Sequence, residues 1–545
     1  MIFSQKNSGD ALFSAAKRLY DASQFDEANA LLQQLLEQQP GHADAYFYLG
    51  NIADKLIDAE LAMRFFAEAV KLDPKHQNAQ FKLAMVHRQQ GNYREAISLY
   101  RRLLKRLPTS LEVCNNLGIV LRLNRQYRQA ISVFKRAIKL APENASSWLN
   151  LGNVYLDQGL DDEAKRCFQK AVDLNPTSAM AAANLANVLI SLQQVEAALP
   201  LFEKALMLEP ENPDIHINYG LSLLLLGSDQ NSWQKGWLEH EWRQRKSPAP
   251  FCQRFPDIRV LQVSQLNKNP KVLVWAEQGI GDECMYATCL PDLVASCGVE
   301  NCIVECDRRL LALFQRSFPG LHVIERSQDY THLPFQPDVQ IACGSLPSLF
   351  RQRRENFPSP SFHFTPDPQR LDKWRQRFAE LDGSLKVGIA WRGGVDAVDT
   401  EKRNTHLLQW QSLLALPDVS FINLQYGEIS DELKQLHRKY PQLCLHEWQD
   451  FDVTEDIDDV FAVIDCLDLV IQIDNSSAHF AGCSATPVWN LIPFNPQWRW
   501  QLQTDTTPWY SGMKLYRQAA TKHWQPVLAK VQTDLTCLIA ENTVQ

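Results

Sequence analysis

Trp148-Leu-Asn-Leu-Gly-Asn-Val-Tyr155, running on through Gly159, Ala164, Phe168 and Ala171 to Pro176, is the stretch that organises the first half of this chain. Its last residue belongs to a series, for proline stands at 40, 74, 108, 142, 176 and 210, each step being 34 residues. Only 28 of 545 residues are proline, so five chance recurrences after the first have a probability of about 0.05 to the fifth power. Alanine keeps the same step at 28, 62, 96, 130, 164 and 198, and a large apolar residue follows four positions later as Leu32, Phe66, Tyr100, Phe134, Phe168 and Phe202. Gly50, Gly118, Gly152 and Gly220 share another phase. Each unit fits two antiparallel helices: small residues allow close approach, the aromatic fills the gap, and proline ends the second helix for want of an N–H.

The block 148–176 resembles the tetratricopeptide (TPR) repeat nearly position for position, with six full repeats over roughly 9–212 and a modified seventh over 213–245. No such unit buries its apolar face alone, so the stack is expected to form an α-solenoid with a concave groove. Asn116, Asn150, Asn184 and Asn218 are also 34 apart, and Asn51, Asn153 and Asn187 sit three positions further along their repeats. A ladder of carboxamides offers donor and acceptor together and suits an extended peptide backbone of any sequence. The arrangement resembles the TPR arm of nucleocytoplasmic O-GlcNAc transferases, which implies a protein acceptor or partner in the groove. Asparagine is also an ordinary TPR residue that caps neighbouring carbonyls, and both readings stand.

Composition narrows the field. Hydrophobic residues at 45% and charged residues at 22% are those of a folded globular chain. A net charge of −8 argues against a nucleic-acid coat. The leucine-rich run Leu221–Leu226 is far short of the ~20 apolar residues of a transmembrane helix. The opening Met1-Ile-Phe-Ser-Gln-Lys6 shows no export signal, and thirteen scattered cysteines without a Cys-x-x-Cys pair read as reduced thiols of a cytoplasmic protein.

From about residue 270 the pattern alternates. Lys271–Trp275, Cys302–Cys306 and Leu321–Ile324 read as strands, with a helix after Asp282 reaching Cys297 and another over Arg308–Phe318. Pro358-Ser-Pro360 and Pro366-Asp-Pro368 read as an interdomain linker. A second cycle follows, with strands at Leu385–Trp391, Val419–Leu424, Asp468–Ile473 and Pro487–Ile492, helices at Asp456–Leu467 and Ala478–Cys483, and a closing helix over 524–541. The expected organisation is a solenoid over 1–245, then α/β with two Rossmann-like halves over 246–365 and 366–545. Ligands then bind between the C-terminal strand edges.

Two turns carry candidate chemistry. In Glu277-Gln-Gly-Ile-Gly-Asp282 the glycines Gly279 and Gly281 bring backbone close to a ligand at a helix start, and the Asp282 carboxylate is placed to take a proton from an acceptor hydroxyl; helix capping is the rival reading. In Asp474-Asn-Ser-Ser-Ala-His479 the helix-start amides near Asn475, Ser476 and Ser477 suit an anion, and His479 on the first turn reaches a phosphate or sugar oxygen. The rival makes Asp474 or Ser476 a cap and His479 a buried, hydrogen-bonded histidine. Arg392, or Lys402 and Arg403, supply positive charge for a departing diphosphate when no metal takes part. Asp450-Phe-Asp452 and Asp456-Ile-Asp458 match a metal pattern, but the acidic stretch 450–459 reads better as a solvated helix start, so no metal site is assigned. Trp498-Arg-Trp500 and Trp509-Tyr510 either floor the cleft or pack.

In order, Val274 to Asp282, Ser345-Leu-Pro347, Val387 to Trp391, Leu424-Gln425, Asp468 to His479, Pro487-Val-Trp489, Trp498-Arg-Trp500 and Trp509-Tyr510 resemble bacterial TPR-fused glycosyltransferases with a heptosyltransferase-like domain. So does Gly236-Trp237…Glu241-Trp242-Arg243. The resemblance implies a GT-B fold, a nucleotide-sugar donor held mainly by the C-terminal half, Asp282 as catalytic base, and donor binding by Gln425 and the turn Asp474–His479. Asn475 departs from the family's Thr or Ser, and Cys483-Ser-Ala485 stands where relatives carry a glycine-containing segment. The implied activity is sugar transfer to a protein hydroxyl, with no cofactor beyond the donor; flagellin-type acceptors are modified by similar proteins. A saccharide or lipid-linked acceptor, and a non-catalytic scaffold, are the alternatives.

Overall fold

The computed structural model describes residues 2–246, 254–327, 330, 332–383, 385–393, 403–502 and 504–544. The chain divides into two compact units, one through Leu192 and one from Gln193 onward.

The first unit holds helices Ile2–Asp21, Phe25–Gln38, Ala43–Lys55, Ala59–Leu72, Gln77–Gln89, Tyr93–Arg106, Leu111–Leu123, Tyr127–Leu140, Ala145–Asp157, Asp161–Leu174 and Ala179–Ser191. Each periodic proline lies two residues past the end of a helix, where it ends the segment without entering it. The alanine and aromatic series are fully buried from Ala62 and Phe66 to Ala164 and Phe168. A Cβ on Gly118 would lie 2.5 Å from the Phe134 ring, and one on Gly152 would lie 2.5 Å from Phe168. The glycine phase is thus the space the partner helix's aromatic occupies. Two further periodicities emerge. His42, His76, Ser110, Asn144 and Ser178 each accept the backbone N–H three residues on, capping the first helix of a repeat. Ser23, Ile57, Gly91, Arg125 and Gly159 each adopt positive φ in the turn between the paired helices.

The second unit opens with Val195–Leu208, Pro213–Leu226 and Gln230–His240 and continues into two five-stranded sheets. The first contains β1 (Arg259–Val260), β2 (Val272–Trp275), β3 (Cys302–Cys306), β4 (His322–Glu325) and β5 (Val339–Ala342), in spatial order β1-β5-β2-β3-β4. The second contains β6 (Leu385–Ala390), β7 (Val419–Asn423), β8 (Leu469–Ile473), β9 (Val488–Ile492) and β10 (Met513–Arg517), in order β10-β9-β8-β6-β7. All pairings between these strands are parallel, as in Val272↔Val339 and Val387↔Leu469. β2, β3 and β8 are buried along their whole length, which is why they read as apolar runs broken only by Glu305 and Gln472. Strand order reverses between β2 and β5 in one sheet and between β6 and β8 in the other. These are the switch points beside which ligands bind in open α/β sheets.

Several expectations need correction. The helix after Asp282 is two, Ile280–Ala287 and Leu290–Cys297, the second starting with Pro291 in its first turn. Arg308–Leu310 is 3-10 and only Leu311–Ser317 is α. Pro368 is not linker: it begins helix Pro368–Ala379, capped by Asp367. The acidic stretch is not simply solvated. Asp456 caps helix Ile457–Ile464, but Asp458 and Asp459 are buried, the first bonded by Arg316 and the second by the Trp374 indole at 2.8 Å.

Candidate active site

β2 ends at Trp275, and the chain turns through Ala276 and Glu277, which are fully buried, before Gln278 at φ 65°. Gly279 is the N-cap of helix Ile280–Ala287, which carries Asp282 in its first turn. Glu277 anchors the turn. Its carboxylate accepts Gly344 N at 3.0 Å and a two-pronged bond from Arg243, with Nη2 at 2.5 Å and Nε at 3.2 Å. Arg243 also reaches Ser345 Oγ and Glu241 Oε1, each at 2.8 Å. The segment after helix Gln230–His240 is therefore built into the base of the first sheet's loops. Trp237 adds a bond from its indole to Arg351 O at 2.8 Å and an edge contact to Trp498 at 5.3 Å.

The facing turn follows β8. Asn475, not Asp474 or Ser476, caps helix Ser476–Gly482: its Oδ1 accepts Ala478 N at 3.2 Å, and its Nδ2 donates to Arg392 O at 3.3 Å. Both functions of the carboxamide are used, one capping the helix and the other tying the turn to the backbone after β6. A Cβ on Gly281 would lie 3.1 Å from Ser476 Cα and 3.1 Å from His479 Cδ2, so the two turns meet at a glycine. Gly482 meets the Tyr510 ring in the same way, at 2.6 Å, and supplies the small residue of this helix one position ahead of Cys483.

His479 is buried, stacked on Trp500 at 5.5 Å, with Nδ1 2.7 Å from Tyr510 OH. Burial, aided by Arg499, pushes the imidazole down to about 3, so it is neutral at ordinary pH. Burial likewise holds the Tyr510 phenol well above its usual range, so it keeps its proton and pairs with Nδ1 as a neutral hydroxyl. Burial raises the Asp474 carboxyl, against the neighbouring Trp500 indole and Arg403, which lower it.

Asp282, Asp474, Asn475, Ser476 and His479 line one cavity of about 290 Å³, together with Arg403 and Gly281. Gly393, Tyr426, Gln497 and Arg499 complete it. The volume is at the lower end of ligand pockets, about 300–1,000 Å³. Arg499, 11% exposed, forms an ion pair with Asp282, 22% exposed. It is the residue that sequence reasoning missed. The signal was an arginine between two tryptophans, since a charge flanked by buried rings needs an anionic partner. Trp498, Trp500, Trp509 and Tyr510 are themselves buried and are absent from the lining.

Other candidates stand apart from the cavity. Gln425 is 3% exposed and spends its amide on backbone: Oε1 accepts Trp391 N at 2.9 Å and Arg392 N at 2.8 Å, and Nε2 donates to Arg392 O and Tyr426 O, each at 2.9 Å. It shapes the turn after β6. Arg392 pairs with Glu432 at 2.9 Å. Gly279 and Ser477 lie beside the lining, and Lys402 is outside the described residues. In the first unit Asn116 is bonded on both sides, accepting from Arg88 at 3.1 Å and donating to Glu112 O at 3.0 Å, and Asn184 donates to Asn153 at 3.0 Å. Asn150, and Asn218 in the second unit, are half-buried.

Two guanidinium groups, a neutral imidazole and helix-start amides suit an anionic ligand, and Asp282 supplies a proton acceptor beside them.

The profile of the cytochrome c-type biogenesis protein H TPR domain matches residues 12–146, and tetratricopeptide repeat profiles match 121–188 and 183–232. This is a TPR-repeat protein whose repeats precede two parallel sheets. It is similar to Protein FlbA of Caulobacter vibrioides, with 30% identity over 328 residues, which are 57% of this chain and 53% of FlbA. The chain thus spans about half the length of that relative. Among solved structures it is similar to a thermophilic TPR protein of Thermus thermophilus, with 26% identity and TM-score 0.30, covering 34% of this chain and 100% of that one. It is also similar to MamA of Desulfovibrio magneticus, with 23% identity and TM-score 0.29, covering 31% and 95%. Among the described residues no helix is long and apolar enough to cross a membrane.

Proposed function

We propose that this chain is a glycosyltransferase that moves a sugar from a nucleotide-sugar donor to a hydroxyl of a protein recruited by its TPR repeats, with the two sheets as the halves of a GT-B fold. The observation that carries the reading is the shared cavity at both switch points, where Asp282 from one half meets the turn 474–479 from the other. Asp282 takes the acceptor proton. Arg403, the helix-start amides and the neutral His479 stabilise the departing diphosphate, and the step needs no redox chemistry. The Asn116, Asn150, Asn184 and Asn218 series is assigned to the acceptor.

The test incubates the full chain and its Asp282→Ala variant with a panel of nucleotide-sugars and a bacterial lysate. Transfer by the wild type and its loss in the variant is the expected result. Equal glycan incorporation by both removes Asp282 as base, and no transfer with any donor removes the activity.

A further inference from the structure

Arg499 and Asp282 come from opposite halves. Asp282 stands in the first turn after β2, whereas Arg499 stands in the loop after β9. Their ion pair therefore spans the cavity both residues line. The two partners are not equally free. Asp282 is 22% exposed, so water can solvate it when the pair opens, while Arg499 is 11% exposed and rests on the Trp498 ring at 5.0 Å. A guanidinium this buried cannot give up one anion without another to replace it. It also has capacity to spare. Nη1 bonds Gln497, Nη2 bonds Asp282, and Nε is buried with no partner among the described residues. Arg403 brings a second cation to the same cavity.

We propose that Arg499 is a partner-exchanging latch: an anionic phosphate entering the cavity takes the guanidinium from Asp282, and the carboxylate so released becomes free to act. The inference rests on the reading of this cavity as a nucleotide-sugar site and assigns it an order of events. The phosphate-bearing donor binds first and thereby unmasks the base for the acceptor. In the transfer itself the acceptor O–H proton passes to Asp282 and the acceptor oxygen bonds the sugar carbon. The bond from that carbon to the phosphate oxygen breaks, and its electron pair leaves on the oxygen held by Arg499.

The probe is inorganic pyrophosphate, titrated calorimetrically into the full chain as wild type, Asp282→Asn, Arg499→Gln, Arg499→Lys and the Asp282→Asn/Arg499→Gln double variant. Removing the competing carboxylate in Asp282→Asn tightens binding by about two- to fivefold, the range of a partly exposed ion pair. Arg499→Gln weakens it about tenfold or more, as loss of a charge-assisted bond does, and in that background Asp282→Asn no longer tightens it. Arg499→Lys keeps the charge and loses the fork, so it falls between wild type and Arg499→Gln, and it serves in place of the Gln variant if that chain does not fold. Absence of pyrophosphate binding by wild type, or equal affinity in wild type and Asp282→Asn, overturns the latch. A chain that shows this affinity pattern but transfers no sugar keeps the latch and loses the glycosyltransferase reading. One that transfers sugar with equal affinities throughout keeps the reading and loses the latch.

Discussion

Removing Arg243 should cost the second unit more than any exposed charge in the chain. The side chain is 4% exposed and its partner Glu277 is fully buried. Of the three hydrogen bonds that the Glu277 carboxylate accepts among the described residues, Arg243 supplies two and Gly344 N the third. Arg243→Met keeps most of the volume but leaves an ionised carboxylate without its counter-charge, a change worth about 3–5 kcal/mol in buried pairs. Adding Glu277→Gln cancels the stranded charge and leaves only the loss of ordinary hydrogen bonds, about 1 kcal/mol each, so the double variant should be the more stable of the two. Thirteen of the fourteen tryptophans lie after residue 193, so urea denaturation followed by tryptophan fluorescence reports the second unit almost alone. A single-variant loss below about 1 kcal/mol, or a double variant no better than the single, would refute the claim that Arg243 neutralises a buried charge.

Glu283, 4% exposed, has its carboxyl pushed up to about 8, chiefly by burial. A folded-state value above the unfolded one contributes stability at low pH that is lost as pH rises. The wild type should therefore weaken by about 1.4 kcal/mol per pH unit between roughly pH 4.5 and 8, and Glu283→Gln should flatten that slope in thermal melts. Gly118→Ala drives a methyl into the Phe134 ring and should cost about 1–3 kcal/mol, whereas Gly41→Ala, with nothing within 4 Å, should leave the melting temperature within a degree or two. Ile57 holds a β-branched side chain at φ 63°, 92% exposed, where two later repeats place Gly91 and Gly159. Ile57→Gly relieves about 1–2 kcal/mol of left-handed strain against about 0.5–1 kcal/mol of added chain entropy, so calorimetry should show a rise in melting temperature.

What was legible in the sequence follows from how often a contact repeats. The proline, alanine and aromatic phases were plain because every repeat fills the same space, as Gly118 under Phe134 and Gly152 under Phe168 illustrate. The histidine and serine caps share that period but were hidden, since a histidine at the start of a helix does not look like a cap until its Nδ1 is seen accepting Ala45 N at 3.1 Å. β5 escaped notice because Gln340 stands second in a four-residue strand, whereas Glu305 and Gln472 each follow three apolar residues; the Gln340 amide is buried and accepts the Trp275 indole at 2.6 Å. Strand-end turns identified Asp282 and the 474–479 segment, because parallel strands gather their C-terminal ends in one place. Arg499 pairs with a residue 217 positions away, and no local pattern encodes such a partner. Gln425 carries no ligand-facing signal of its own, since its task is to hold the backbone of a neighbouring strand end.

The anchoring of Arg243 and Trp237 among the sheet loops bears on how the chain is to be dissected. An excision after residue 245, where the repeats end by sequence, strips the guanidinium from Glu277 and the indole from Trp498, and so wounds the very region it means to isolate. A deletion series should instead leave residues from 193 onward intact, since the last three helices of the repeats also underpin the sheets.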